Sequence, residues 1–155
     1  MTGFDTFYRS RRDDVARALA LTLRNATLGS EAADEAMVRA LERWGSVERM
    51  GNPSGWVYRV GLNWARSRLR RRDRETLGDP PDIERFMPAA DLDVARALAE
   101  LPVTHRAVVV LRYFMDWSLE DIAAGLKIPV GTVKSRLNRA HAKLAELLEV
   151  DHETR

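Results

Sequence analysis

Residues Ser118 to Leu144, SLEDIAAGLKIPVGTVKSRLNRAHAKL, constrain the fold more than any other stretch. They read as two short helices joined by a tight turn. Ser118 is positioned as an N-cap, with Asp121 three residues on in a weak capping box. Pro129 suits the start of the second helix, where a missing N–H costs nothing. Gly125 is expected to let the first helix end close to the second. At about 100° per residue, Val133, Leu137, Ala140 and Leu144 form one narrow apolar stripe. That stripe can pack on Leu119, Ile122, Ala123 and Leu126. Ser135, Asn138, Arg139 and Ala142 fall opposite, with Lys134 and Arg136 flanking them. The outer face therefore offers hydroxyl, amide and guanidinium groups suited to base edges, and cations suited to phosphates. A solvated amphipathic helix would share the polar face. The short first helix, tight turn and Pro-led second helix together favour a helix-turn-helix that enters the DNA major groove.

The remaining periodic segments are also helical. Phe4, Phe7, Val15, Leu19 and Leu23 mark a first helix broken around Asn25–Gly29. Ser30 is expected to cap a second, continued by Ala33, Met37, Ala40, Leu41 and Trp44 as far as Gly45. Gly51-Asn-Pro-Ser-Gly55 is a turn cluster, and a long helix runs from about Ser54 to Arg72. Residues 73–90 contain Gly78, Pro80, Pro81 and Pro88 with no apolar period, which reads as a flexible linker. Asp91 opens a second helical block that Pro102 interrupts. Thr104 is expected to cap the next helix to about Met115, with Val108–Leu111 buried in it. The fold class expected is all-α, two small helical domains joined by the linker. Extended, about 18 linker residues reach at most roughly 60 Å, which is about 17 base pairs of duplex.

The long helix before the linker builds a second basic surface. Arg59, Asn63, Arg66 and Arg70 lie within about 60° of one another. Arg71 and Arg72 continue the charge. An arginine stripe beside aromatic groups suits a nucleic-acid backbone, single strands included. Trp56 and Trp64 read as core. A formal net charge of +2 in 155 residues is too small to argue for nucleic acid by itself, so the concentration of arginine carries the inference.

Composition removes several chemistries. There is no cysteine, which excludes disulfides, thiolate metal sites and cysteine nucleophiles. His105, His141 and His152 have no metal-ligand spacing, and there is no phosphate-binding glycine loop. Glu120-Asp121 suits a helix N-terminus better than acid–base catalysis. The chain is not expected to be an enzyme or to carry a cofactor or metal. No apolar run is long enough to span a membrane, and the N-terminus is polar, so a cytoplasmic protein is expected.

Both blocks, in this order, resemble the sigma-70 family of RNA polymerase sigma factors, in the extracytoplasmic-function (ECF) group that keeps regions 2 and 4. The second block carries Leu101-Pro102, Arg106, Val110-Leu111-Arg112, Ser118-Leu-Glu-Asp-Ile-Ala123 and Gly131-Thr-Val-Lys-Ser-Arg-Leu-Asn-Arg-Ala140. The first carries Glu31-Ala-Ala-Asp34-Glu35-Ala-Met37, Trp56-Val-Tyr58-Arg59-Val60 and Asn63-x-Ala65. The resemblance implies region 2 over residues 1–74, a linker over 75–91, region 4 over 92–150 and a tail over 151–155. It implies core RNA polymerase as a partner through its clamp and flap, promoter DNA as a second, and an anti-sigma factor as a candidate third. Glu31, Asp34 and Glu35 are the polymerase-facing residues it implies. Asn63, Arg59, Arg66, Arg70 and Asn52 are those for the −10 element, with Met50–Ser54 as the loop that takes a flipped base. Lys134, Ser135, Asn138 and Arg139 face the −35 element, with Arg136 on phosphate. Two departures stand out. Asp34 and Met37 replace the usual Gln and Phe of the core-binding segment, and Ser67 stands where Asp is common. An autonomous helix-turn-helix regulator would need a dimerisation element. Only Leu144, Leu147, Leu148 and Val150 could supply one. A third reading, a polymerase-interacting module that no longer initiates, rests on Asp34 and Met37 alone.

Overall fold

The computed structural model describes residues 2–75 and 92–153, and all regular structure among them is helical. The sequence-predicted linker falls almost wholly on residues 76–91, outside the described residues. The first block contains α1 (Thr2–Leu23), α2 (Ala26–Glu42), the single turn α3 (Trp44–Val47) and α4 (Pro53–Glu75). Its core is Val15, Leu19, Ala32, Ala36, Met37, Val57 and Tyr58, all buried. The break between α1 and α2 is tighter than the sequence predicts. Arg24 turns left-handed at φ 57°. Asn25, not Ser30, is the N-cap of α2, its Oδ1 accepting from the Leu28 N–H at 2.9 Å. Gly29 lies inside α2 because the helices cross there. A Cβ at Gly29 would stand 2.5 Å from the Ala20 backbone nitrogen. Small residues at a crossing let two helix backbones approach, and here that contact outweighs the low helix propensity of glycine.

One polar chain crosses this core. The Tyr58 hydroxyl and Thr22 Oγ1 are 2.7 Å apart, and Thr22 Oγ1 donates to the Ala18 carbonyl at 2.8 Å. Thr22 has one hydroxyl proton, so Tyr58 must donate to Thr22. Burial pushes the Tyr58 phenol well above its usual pKa, which outweighs the opposing effects of the Thr22 hydrogen bond and the Arg106 charge.

The second block contains α5 (Leu92–Ala99), α6 (Val103–Val109), α7 (Leu119–Leu126) and α8 (Val130–Glu153). Helix α6 starts from Pro102 without a side-chain cap and runs into a π-helical turn, Val110–Phe114, so Thr104 is inside the helix rather than its cap. The wider turn ends with Asp116 left-handed at φ 57° and with Arg112 Nη1 donating to the Trp117 carbonyl at 2.9 Å. Val108, Val110 and Leu111 are buried, as the sequence predicts. Arg106 ties this block together. It donates to the carbonyls of Leu98, Ala99 and Leu101 at and just beyond the end of α5, where carbonyls run out of helical partners, and to that of Thr22 in α1.

The two blocks are docked on one another. Helix α7 packs on α4, and the buried apolar residues of both blocks form one continuous cluster.

Candidate nucleic-acid interface

The helix-turn-helix forms by the local rules its sequence encodes. Ser118 Oγ accepts from the Asp121 N–H at 3.0 Å, capping α7. Glu120 and Asp121 sit in its first turn, where carboxylates favour the positive end of the helix. Lys127 ends α7 in the left-handed conformation at φ 57°, a position that strands no side chain in the core. The Pro129 carbonyl accepts from Thr132 and Val133 as α8 begins. Val133, Leu137 and Ala140 are buried and Leu144 is partly so, packed toward buried Ile122 and Ala123. Lys134, Ser135, Asn138 and Arg139 are exposed, and Arg136 is half-buried. None of these five has a hydrogen bond or ion pair to another described residue. Arg136 and Arg139 stand near His105 on α6. Burial and these two cations hold its pKa below the ordinary histidine value.

The surface on α4 is presented differently. Asn63 is exposed. Asn52, in the loop before α4, has both ends of its amide engaged. Its Oδ1 accepts from the Gly55 N–H at 3.0 Å, and its Nδ2 donates to the Asp121 carbonyl of α7 at 2.9 Å. Arg59 Nε donates to the Gly125 carbonyl at 3.2 Å. That carbonyl belongs to the last turn of α7, where a cation is favourable. Arg66 and Arg70 line a cleft between the blocks. The stripe read from the helical wheel is therefore one stripe in angle but three environments in space.

Two glycines make this docking close. A Cβ on Gly55 would lie 2.4 Å from the Gly125 Cα, and one on Gly125 would lie 2.7 Å from the Gly55 Cα. The expectation that Gly125 serves the approach of α7 to α8 is corrected here: its close neighbour is α4. Sequence reasoning also missed Arg106 as the residue joining the blocks. Its only signal was its place between Leu101-Pro102 and an apolar run. The same docking roofs the Met50–Ser54 loop. A cavity of about 490 Å³ there is lined by Phe7, Arg11, Asn52 and Ser54 from the first block and by Met115 and Trp117 from the second.

The three acidic residues expected to face the polymerase lie on α2, each with a cation beside it. Asp34 is 2.9 Å from Arg12, Glu35 is 3.3 Å from Arg39, and Glu31 is 4.0 Å from Arg68. Partial burial disfavours the Arg12 charge, but hydrogen bonding and attraction to Asp34, with help from Asp13, raise its pKa overall. Met37 is buried in the core. Among the described residues no group of His, Asp or Glu could hold a metal ion, and no helix is long and apolar enough to cross a membrane.

Residues 91–144 match the family model described as sigma-70, region 4. The ECF RNA polymerase sigma factor SigM of Mycobacterium tuberculosis is 35% identical over 153 residues, covering 94% of this chain and 76% of that protein. The ECF RNA polymerase sigma factor EcfG of Rhodopseudomonas palustris is 33% identical over 165 residues, covering 92% of this chain and 87% of that protein. Among solved structures, the sigma factor RpoE in complex with the anti-sigma factor NepR from Bartonella quintana shares the fold, with a TM-score of 0.77 at 23% identity over 97% of this chain and 99% of that one. CnrH in complex with the cytosolic domain of CnrY gives a TM-score of 0.66 at 27% identity over 96% of this chain and 88% of that one.

Proposed function

The chain belongs to the ECF group of sigma-70 family RNA polymerase sigma factors, and we propose from that premise how its residues divide the work of promoter recognition. It is a sigma factor, directing transcription initiation. In our reading residues 1–74 act as region 2, 75–91 as the linker, 92–150 as region 4 and 151–155 as a tail. Helix α8 enters the major groove of the −35 element, with Ser135, Asn138 and Arg139 on base edges, Lys134 at the border and Arg136 on phosphate. Asn63, Arg59, Arg66, Arg70 and Asn52 serve the −10 element. Glu31, Asp34 and Glu35 meet the polymerase clamp. Their neighbouring arginines leave them ordered but part-neutralised, so the clamp would exchange one cation partner for another. The partners are core RNA polymerase through clamp and flap, promoter DNA and an anti-sigma factor. The protein acts by recognition and not by catalysis, and it works in the cytoplasm with the polymerase.

The observation that carries the reading is the row on α8. Ser135, Asn138 and Arg139 stand opposite a buried apolar stripe, flanked by Lys134 and Arg136, and none of the five has a hydrogen bond or ion pair to another described residue. The docked arrangement adds a condition: Asn52 and Arg59 reach DNA only after their bonds to α7 are released.

The test is transcription in vitro with purified core polymerase over a genomic DNA library. Discrete start sites preceded by a shared pair of elements are expected, and Glu35→Arg should lower polymerase binding without altering helicity. Sequence-specific binding by the protein alone as a dimer, with no transcripts, would instead establish an autonomous regulator.

A further inference from the structure

A second cleft lies in the seam between the blocks, about 300 Å³ in volume, where the end of α1, the C-terminal half of α4 and the start of α6 meet. Thr22, Arg66, Leu69, Arg70, Val103 and Arg106 line it, and no carboxylate does. Arg24 stands close by, near enough that its charge adds to burial in lowering the Arg106 pKa. The Arg24 Nε is buried with no hydrogen-bond partner. None of these four arginines has an ion pair among the described residues. Arg24, Arg66 and Arg106 are partly buried, while Arg70 is exposed at the cleft mouth. The contrast is Arg12, partly buried like the first three but set against Asp34 and Asp13.

The donors differ in what they have left. Arg106 directs N–H groups at four carbonyls, which fixes its guanidinium plane and leaves its charge uncancelled. Carbonyl dipoles satisfy donors without supplying a counter-charge. Arg66 and Arg70, one helical turn apart, make no hydrogen bond to other described residues. Like charges gathered in a partly desolvated seam repel unless an anion offsets them. The guanidinium fork matches a phosphoryl group with two parallel hydrogen bonds. Three to four cations call for a multiply charged anion. The volume sits at the small end of ligand clefts, enough for a pyrophosphate-sized group and too little for a duplex.

We propose that this cleft is a seat for a phosphate-class polyanion, gripped by Arg66 and Arg70 of the first block and held in the field of Arg106 of the second, with Arg24 behind it. The occupant bridges the blocks. A phosphoryl group of a free polyphosphate and one of a nucleic-acid backbone offer the same chemistry.

The test titrates the full chain with sodium pyrophosphate by calorimetry, against sodium chloride at equal ionic strength. One site per chain is expected. Arg70→Gln and Arg66→Gln, both at positions where the side chain supports no packing of the fold by hydrogen bonding, should each weaken it at least tenfold. Arg17→Gln, which removes an exposed charge from α1 outside the cleft, should leave it unchanged. A six-nucleotide single strand separates the sources. Displacement of pyrophosphate one for one assigns the seat to a backbone phosphate, and binding without displacement assigns it to a free polyphosphate. No heat beyond the chloride control, or equal losses in Arg17→Gln and Arg70→Gln, would overturn the proposal.

Discussion

Helices α4 and α8 are built from similar materials and are presented in opposite ways. Each carries an apolar side and a polar side with arginine and asparagine. On α8 Lys134, Ser135, Arg136, Asn138 and Arg139 have no hydrogen bond or ion pair to other described residues. On α4 the same kinds of group are engaged at the N-terminal end by α7, exposed in the middle at Asn63 and directed into a seam at Arg66 and Arg70. The cause is a pair of glycines. Gly55 and Gly125 let α7 approach α4 until backbone meets backbone, which brings two α7 carbonyls within reach of Asn52 and Arg59. On α8 no such approach occurs: a Cβ at Gly131 would meet nothing within 4 Å, and Lys134, Ser135, Asn138 and Arg139 are exposed. Which side a residue faces is a property of one helix. Whether it is available is a property of the packing between helices.

The largest expected effect comes from breaking this contrast at Gly125. Alanine there adds a methyl group 2.7 Å from the Gly55 Cα, against backbone that has no rotamer to change. Overpacking of this kind costs about 1–3 kcal/mol, a shift of about 5- to 150-fold in the docking equilibrium. Alanine also favours the α7 helix itself, so each block should keep its fold. Gly125→Ala is expected to raise the radius of gyration in solution scattering. It should also strengthen binding of single strands carrying the −10 sequence, while binding of −35 duplex stays constant. An unchanged scattering profile would show that the glycine contact does not hold the blocks together.

The next effect sharpens the open half. Arg139→Ala should cost about 1–3 kcal/mol at one base pair of the −35 element, measured across duplexes substituted one position at a time. Arg136→Ala should weaken all those duplexes alike and reduce the salt dependence by about one phosphate contact. Uniform weakening by Arg139→Ala would move it to the phosphate class as well.

A smaller effect distinguishes the two cores. Tyr58→Phe removes the hydroxyl that donates to Thr22 but leaves Thr22 its bond to the Ala18 carbonyl. The loss of one neutral buried hydrogen bond should cost about 0.5–1.5 kcal/mol in urea unfolding. Helices α5 to α8 should report it in hydrogen exchange only if docking couples the two blocks. The buried residues of the second block include no polar pair of this kind.

These contrasts also mark how far the sequence could be read. The Ser118 cap, the Val133–Leu137–Ala140 stripe and the outer face of α8 all follow from spacings of three and four residues, and each was legible. The burial of Trp56 and Val108–Leu111 followed from the same rules. The errors share one cause. Gly29 was read as part of a break and Gly125 as an aid to the turn, since glycine within a helix usually marks its end. Both instead lie inside helices where a distant backbone crosses. Ser30 was given the capping role that Asn25 performs for the same reason. A glycine that ends a helix and a glycine that admits another helix are the same letter, and only the partner, 70 residues away in the case of Gly55 and Gly125, tells them apart. Arg106 is a second instance. Its bond to the Thr22 carbonyl spans 84 residues, beyond any local pattern.

The smallest predicted effect uses proton uptake to ask whether α8 is open to phosphate. His105 has a lowered pKa, first because burial disfavours its charge and then because Arg136 and Arg139 repel it. Its neutral form is favoured in the folded chain. It therefore contributes stability above the unfolded pKa, near 6.5, that is lost as pH falls toward the folded value. Bound phosphates would offset the charges of Arg136 and Arg139, and the His105 pKa should rise back toward its ordinary value. The complex then holds more protons than the separated molecules between the two values. Linkage requires affinity for −35 duplex to increase as pH falls through that window, by less than about tenfold per pH unit for one proton. His105→Gln should remove this dependence and leave affinity above pH 7.5 almost unchanged, about where neutral histidine predominates. A wild-type affinity that is flat with pH would place the phosphates away from Arg136 and Arg139. The reading face would then have to be sought toward Lys134, on the opposite border of α8.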